Sequence, residues 1–255
     1  MRFNLILFFL FGFKAVVLGE WQVVSTKHEA SIGGGLVHHH IILGQSAGDE
    51  RAVVDLAMFS PKSCTVHLID NENNDRTLAE AMDREKYLAG VNGGYFDPEF
   101  KPIGLRIMDG KTISQLRRAK LLTGLVMASP NQLKILRTRE FSGKQKPLTA
   151  IQCGPFLVDG GQQVRGLDDS HSARRTFVAV AMNDRAALGI CSGVTLAELS
   201  EILVSIPFDK GERIKRALNL DGGSSTAFWF KRQEGSILSI SEQKSVRDFV
   251  AVVAK

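Results

Sequence analysis

The sequence predicts an α+β protein: a single domain built on a mixed or antiparallel β-sheet, with a few flanking helices. Apolar runs of strand length outnumber the helical patterns, short hairpin-type turns join several of these runs, and no linker divides the chain. Of the 255 residues, 44% are hydrophobic, so the chain is long and apolar enough to bury a full core.

Residues 1–19 predict a secretory signal peptide. Arg2 precedes an apolar run at 5–13, and small residues follow near Ala15 and Gly19. Lys14 interrupts the segment and makes it too short to span a bilayer, although a retained anchor is the alternative. We therefore expect a secreted or periplasmic protein whose mature domain covers 20–255.

Most of the later elements are predicted strands. Apolar runs place them at 51–59, 64–70, 87–91, 103–108, 121–128, 132–137, 148–153, 156–158 and 175–182. Helical patterns cover 77–86 and 195–205. The second helix begins at a capping box formed by Thr195 and Glu198 and stops before Pro207. The least readable segment is 20–50.

The charge balance is mildly basic, with 32 Lys and Arg residues against 27 Asp and Glu residues, or +5. Loss of Arg2 and Lys14 with the signal peptide lowers this to +3 (30 against 27). Basic residues are scattered, and the densest pairs are 117–118 and 174–175. This pattern argues against a nucleic-acid partner and fits an anionic small substrate.

Cysteine and histidine patterns do not predict a metal centre. Cys64, Cys153 and Cys191 form no CxxC motif, so a zinc site is disfavoured. Either Cys153 and Cys191 form a bridge or all three are buried free thiols. The run at 38–40 is His-His-His, but consecutive side chains of a strand point to opposite faces. We expect neither a metal nor another cofactor.

Two strand-end loops are candidates for a binding site. The apolar stretch 217–230 breaks at Asp221-Gly222-Gly223-Ser224-Ser225-Thr226 and resumes at the aromatic residues 228–230, which we assign to the core. Residues 92–98, Asn-Gly-Gly-Tyr-Phe-Asp-Pro, repeat the pattern. Glycines suit a tight turn, and they also let backbone N–H groups approach an anion. The two loops can face one cleft.

A set of short motifs resembles the phosphodiester glycosidase family. In order, they are NGGYF, PIG with DGK, CGPFLV, RRTFVAV, LNLDGGSST and RDFVAVVAK, between 91 and 255. The chain departs from the family in having Ala173-Arg174 where a His-Pro pair often stands, which puts a role for His171 in doubt. It also lacks the large extra modules of the lysosomal member.

The resemblance implies a hydrolase that cleaves the sugar–phosphate bond of glycosyl phosphodiesters. In this reading Arg175 holds the phosphate and Asn92 orients a sugar hydroxyl or the attacking water. Asp221 acts as nucleophile, base or stabiliser of the oxocarbenium ion. The residues expected to bind substrate or phosphate are Gly93, Gly94, Gly154, Thr176, Gly222, Gly223, Ser225 and Thr226.

Several alternatives stay open. A second carboxylate could be Asp97, Asp168 or Asp169, and the choice between retention and inversion depends on a carboxylate spacing that sequence does not give. A different class of protein, a non-catalytic envelope protein that binds anionic polysaccharide, could use the same loops. A third option is an esterase or phosphodiesterase that cleaves P–O. A Ser225–His171 catalytic pair is disfavoured, because no GxSxG elbow is present.

Overall fold

The fold is mostly β, in a computed structural model that describes residues 21–46, 48–49, 51–83, 86–208 and 211–255. Of the described residues, about 50% lie in strands and 11% in helices. All described strand pairs are antiparallel, which confirms the antiparallel part of the predicted fold class. The α+β assignment overstated the helices, because long nonlocal strand pairings supply most of the structure.

The described residues contain eighteen strands and two α-helices. The strands are β1 (Trp21–Ala30), β2 (Leu36–Gln45), β3 (Arg51–Phe59), β4 (Cys64–Asp70), β5 (Tyr87–Asn92), β6 (Arg106–Met108), β7 (Lys111–Ser114), β8 (Gly124–Ser129), β9 (Gln132–Arg137), β10 (Thr149–Cys153), β11 (Phe156–Asp159), β12 (Gln162–Gln163), β13 (Ala173–Ala181), β14 (Ala186–Val194), β15 (Ile214–Asn219), β16 (Phe228–Lys231), β17 (Ile237–Ile240) and β18 (Asp248–Ala254). The helices are α1 (Leu78–Met82) and α2 (Leu196–Ser205), and short 3-10 turns include Gly223–Ser225.

Three antiparallel sheets take the place of the single sheet that the sequence suggested. The largest has the strand order β1-β2-β3-β14-β13-β15-β11-β12. The second has the order β7-β6-β10-β8-β9, and the third β17-β16-β5-β18-β4. The strands before the two glycine loops, β5 and β15, therefore lie in different sheets.

The main core lies where the three sheets meet. One apolar cluster joins Leu188 and Leu218 of the largest sheet, Ile151 of the second, and Val91 and Val250 of the third. A second cluster packs α2 against the largest sheet. Such burial of aliphatic side chains is the main stabilising contribution in a domain of this size.

Local sequence signals account for several of these elements. Thr195 and Glu198 form the expected capping box at the start of α2, and Thr77 with Glu80 forms another at α1. The hairpin β6–β7 turns at Asp109 and Gly110, both with positive φ, as an Asp-Gly turn requires. Helix α1 is shorter than the predicted span of 77–86.

The segment 20–50 gave the weakest prediction, and its described residues form mainly the hairpin β1–β2 at one edge of the largest sheet. On β2, His38 and His40 both contact Asp55, each at 2.9 Å from Oδ1, while the His39 ring lies against His28. This is the alternation expected of a strand.

The predicted signal peptide at 1–19 lies outside the described residues. Within the described ranges, no helix combines the length and the apolar character that crossing a bilayer requires. Cys64, Cys153 and Cys191 are all buried and free, so of the two alternatives for the thiols the bridge between Cys153 and Cys191 is not formed.

Candidate active site

The two glycine loops lie against each other, as the sequence suggested. The Asn92 side chain donates to the Asp221 carbonyl at 2.7 Å, and the Asp221 N–H donates to the Gly93 carbonyl at 3.2 Å. The loop after β5 and the loop after β15 are thus joined by two hydrogen bonds, although 129 positions separate them in sequence.

Asn92 is completely buried and holds three segments together. Its Oδ1 accepts from the Thr176 hydroxyl at 2.7 Å and from the Ala227 N–H at 3.1 Å. Its NH2 group donates to Asp221, as above. These bonds use both ends of the amide, so Asn92 fixes the Asp221 loop relative to β13.

Asp221 is a partly buried carboxylate at the opening of this arrangement. Its Oδ1 accepts from the Gly222 N–H at 3.0 Å, and the Ser225 hydroxyl also donates to the carboxylate. Burial raises the pKa of Asp221 above its ordinary value, and the bonds from Ser225 and Gly222 oppose that rise only in part. The surroundings of Asp221 therefore destabilise its ionised form relative to water.

Arg175 lies beside the Asp221 loop at the start of β13. A Cβ on Gly222 would lie 3.8 Å from the Arg175 Cδ, so the side chain runs along the loop backbone. Its Nε donates to the Val194 carbonyl at 2.9 Å, and its Nη2 donates to the His171 carbonyl. Burial lowers the pKa of this guanidinium, but arginine remains charged at any ordinary pH.

Gly93 and Gly94 pack against a buried ion pair. Arg106 Nε lies 2.7 Å from Asp248 Oδ2, and the two side chains are 0% and 1% exposed. The other Asp248 oxygen accepts from the Gly94 N–H at 2.8 Å, and the Asp248 carbonyl accepts from the Gly93 N–H at 2.7 Å. A Cβ on either glycine would collide with this pair. These glycines therefore serve close packing beside the site.

Gly154 lies on the other side of the site, next to Tyr95 and Asn219. Its carbonyl accepts from the Tyr95 hydroxyl at 2.6 Å and from the Asn219 amide at 3.2 Å. Burial raises the pKa of Tyr95 well above its ordinary value, so this phenol stays protonated. Asn219 Oδ1 is buried and has no hydrogen-bond partner among the described residues.

The threonines of the predicted site are both fully buried. Thr176 donates its hydroxyl to Asn92, so it faces the scaffold of the site. The Thr226 hydroxyl has no partner within the part of the chain that the structure describes. Gly223 has a φ of 64°, which turns the loop, and no atom outside its chain neighbours lies within 4 Å of where its Cβ would be.

The three acids considered as second carboxylates lie elsewhere or are engaged. Asp97 Oδ1 accepts from the Lys101 N–H at 2.8 Å. Hydrogen bonds from Ser170 lower the pKa of Asp168 to about 2, and this carboxylate also contacts the exposed ring of His171 at 3.1 Å. Asp169 is exposed. Since His171 pairs with Asp168 and Ser225 with Asp221, the described contacts do not form a Ser225–His171 pair.

Sequence reasoning missed Arg106, Asp248 and Asn219. Each acts through partners far along the chain: Arg106 and Asp248 are 142 positions apart. Arg247, the motif arginine before β18, forms an ion pair with Asp70 instead of entering the site. The signal that could have found Asp248 is a carboxylate at the start of an otherwise apolar strand.

A family model matches most of the chain. Residues 85–253 match the phosphodiester glycosidase family model, about two thirds of the chain, and the chain belongs to this family.

Solved structures share the fold, among them two that each cover more than 90% of this chain. The catalytic domain of zebrafish N-acetylglucosamine-1-phosphodiester alpha-N-acetylglucosaminidase, auto-inhibited by its pro-peptide, is 15% identical, with a TM-score of 0.60 over 95% of this chain and 85% of that one. A hypothetical protein from Synechocystis, also 15% identical, has a TM-score of 0.66 over 91% of this chain. The present chain spans 64% of that protein's length. Among curated proteins, none matches in sequence.

Proposed function

We propose that this protein is an exported phosphodiester glycosidase that hydrolyses the sugar–phosphate bond of glycosyl phosphodiesters at the Asp221 loop. The observation that carries the proposal is a partly buried carboxylate, Asp221, followed in the chain by Gly222, along whose backbone the Arg175 side chain lies. Family membership supports the reaction class, and the pattern of residues 1–19 supports export.

Arg175 binds the phosphate in this proposal. Two of its nitrogens already donate to backbone carbonyls, which fixes the plane of the guanidinium. Its Nη1 then donates to a phosphate oxygen together with the Gly223 N–H. The Gly222 N–H has a different task, because it already holds the Asp221 carboxylate.

Asp221 faces the anomeric carbon. Its raised pKa means that the carboxylate is poorly solvated, which makes it a stronger base and a stronger nucleophile than an exposed aspartate. The Ser225 hydroxyl and the Gly222 N–H hold it in one orientation. Asn92 fixes the loop from behind and acts as a positioning residue, since its amide is already fully engaged.

The chemistry of the leaving group explains why the proposed reaction needs only one carboxylate, Asp221. A phosphate monoester has a second pKa of about 6, so it leaves the anomeric carbon without a strong general acid. The nearby buried carboxylate, Asp248, is occupied by Arg106 and Gly94 and cannot take a proton-transfer role. We therefore assign bond cleavage to Asp221 and charge stabilisation to Arg175.

A binding protein for anionic polysaccharide is the second candidate, and the same Arg175 and glycine loop would serve it. The two differ at Asp221. A binding protein gains or keeps affinity when this negative charge beside a phosphate is removed, whereas an enzyme loses turnover and keeps its ligand.

The test is hydrolysis of a panel of sugar-1-phosphodiesters and UDP-sugars by the wild-type protein and by the Asp221→Asn and Arg175→Ala variants. We expect free sugar from the wild type and a loss of kcat of about 10³-fold or more in Asp221→Asn with KM little changed. Arg175→Ala should raise KM as well. The exposed arginine Arg118 supplies the matched control, Arg118→Ala, which should behave as wild type.

Reaction in ¹⁸O-labelled water identifies the bond that breaks. Label in the released sugar means cleavage of the C–O bond and supports the glycosidase. Label in the phosphate product would mean P–O cleavage and would overturn it. Absence of turnover across the panel, with anionic glycan still bound by Asp221→Asn, would favour the binding protein.

A further inference from the structure

A cavity of about 420 Å³ lies far from the Asp221 loop, at the opposite ends of β13 and β15. Arg175 stands near the start of β13, and Val180, five residues further along, lines the cavity. An extended strand covers roughly 17 Å over that interval. The volume is within the range of small-molecule sites, and the cavity is distinct from the candidate active site.

The charge of this cavity is strongly positive. It is lined by Lys62, Lys134, Arg185, Lys215 and Arg216, against one carboxylate, Asp184. These cations come from four separate segments: the β3–β4 turn, β9, the β13–β14 turn and the start of β15. Their meeting at one place is therefore a product of the tertiary fold and cannot be read from a run of basic sequence.

Arg216 is already neutralised. It donates to both oxygens of Glu140, at 2.6 and 3.0 Å, and its Nε lies 3.0 Å from Asp159. The three lining lysines, Lys62, Lys134 and Lys215, face only Asp184 among the lining acids. The cavity as a whole thus keeps an excess of positive charge.

The polar side chains of the lining also present donors. Asn131 Oδ1 accepts from Lys255 Nζ at 2.9 Å, and Asn183 Oδ1 accepts from the Arg185 N–H at 3.1 Å. With their carbonyl oxygens engaged, these amides have their NH2 groups left for a ligand. Lys255 adds a further positive charge beside Asn131.

Apolar groups complete the cavity. Pro61, Leu133 and Val180 contribute hydrocarbon surface next to the cations. Inorganic phosphate alone would leave this apolar surface exposed to water. A ring that carries a phosphate covers the apolar surface with the ring and places the negative phosphate among the cations. We propose that this cavity is a second ligand site, which binds a phosphorylated ring compound, either a sugar phosphate or a nucleotide, through the lysines and the two asparagine NH2 groups.

The test is a titration of ¹⁵N-labelled wild-type protein, followed by two-dimensional NMR, with glucose 1-phosphate in one arm and UMP in the other. Glucose and inorganic phosphate serve as half-ligand probes. We expect saturable shifts of the Lys134, Asn183 and Lys215 amides, with each half-ligand binding at least about tenfold more weakly than the preferred whole one. The arm with the tighter binding identifies the sugar phosphate or the nucleotide.

Two double variants then test the charge. Lys134→Glu with Lys215→Glu should weaken binding about tenfold or more, because it reverses two exposed lysines of the lining. Lys111→Glu with Lys144→Glu makes the same change in net charge at exposed positions outside the cavity and should keep wild-type affinity.

Shifts confined to residues 221–226, no saturable shifts, or equal affinity in both double variants would overturn the proposal. Because binding is measured without turnover, these results are independent of the activity proposed for Asp221.

Discussion

The loops after β5 and β15 both end a buried strand with two glycines, yet the fold treats them differently. Gly93 lies so close to Asp248 that a Cβ would stand 1.7 Å from its Oδ1. At Gly223 nothing lies within 4 Å of the same position. In the first loop glycine permits close packing, and in the second it permits a positive φ beside open space. The first loop is scaffold, and the second has room for a ligand.

The largest expected effect comes from breaking the ion pair behind the scaffold loop. Arg106→Met leaves Asp248 buried without its cation, so we expect a loss of about 3–5 kcal/mol in the free energy of unfolding, measured by urea denaturation. The control is Arg232→Met, which breaks a partly exposed pair with Glu29 and should cost about 1 kcal/mol or less. Equal losses would contradict the assignment of Arg106 and Asp248 to the scaffold.

A direct comparison of the loops is Gly93→Ala against Gly223→Ala. The first substitution forces a methyl group into Asp248 and should cost about 2–3 kcal/mol or more, since the contact is with backbone and a fixed side chain. The second meets no atoms and should cost about 1–2 kcal/mol for its positive φ alone. Denaturation curves for the two variants decide, and a larger cost at Gly223 would reverse the distinction between the loops.

The hydrogen bonds through which Asn92 holds the Asp221 loop can be weakened at Thr176. Thr176→Val removes the hydroxyl that donates to Asn92 and keeps the shape of the side chain. We expect a loss of about 1–2 kcal/mol in stability and a fall of about tenfold in kcat, because the Asp221 loop is held less firmly. Thr112→Val, at an exposed position of β7, is the control. Unchanged kinetics in Thr176→Val would remove Asn92 from the positioning of the loop.

The smallest effect should be a gain in stability. Burial raises the pKa of Asp221, so the folded state resists ionisation and the charged carboxylate costs stability at neutral pH. Asp221→Asn should therefore raise the midpoint of thermal unfolding by about 1–3 °C at pH 7. Below the ordinary pKa of 3.8, the group is protonated in both states and the gain should disappear. A gain that persists unchanged at low pH would contradict the sign of this shift.

The sequence predicted the parts of the molecule whose chemistry is local. The Asp109-Gly110 turn and the Thr195 capping box depend on neighbouring residues, and they lie where expected. The motifs around Asn92 and Asp221 also led to two loops that the structure joins directly. These motifs therefore pointed to the two loops before their geometry was known.

The rest depends on pairing between distant residues. The fold has three sheets instead of the single predicted sheet, because strands such as β5 and β15 pair with different strands. No local sequence pattern predicts which strands pair. Arg106 and Asp248 form a buried ion pair although they lie 142 positions apart in the sequence. The cavity cations likewise come from segments that are far apart in the chain.

The position of β18 has a consequence for how the protein is made. This strand lies between β4 and β5, and its Asp248 holds the Gly94 N–H, 154 positions earlier. During synthesis the Asn92 loop leaves the ribosome long before the strand that locks it. The third sheet therefore stays open until residues 248–254 emerge, so the Asn92 loop is not locked in place while the chain between β5 and β18 is being translated.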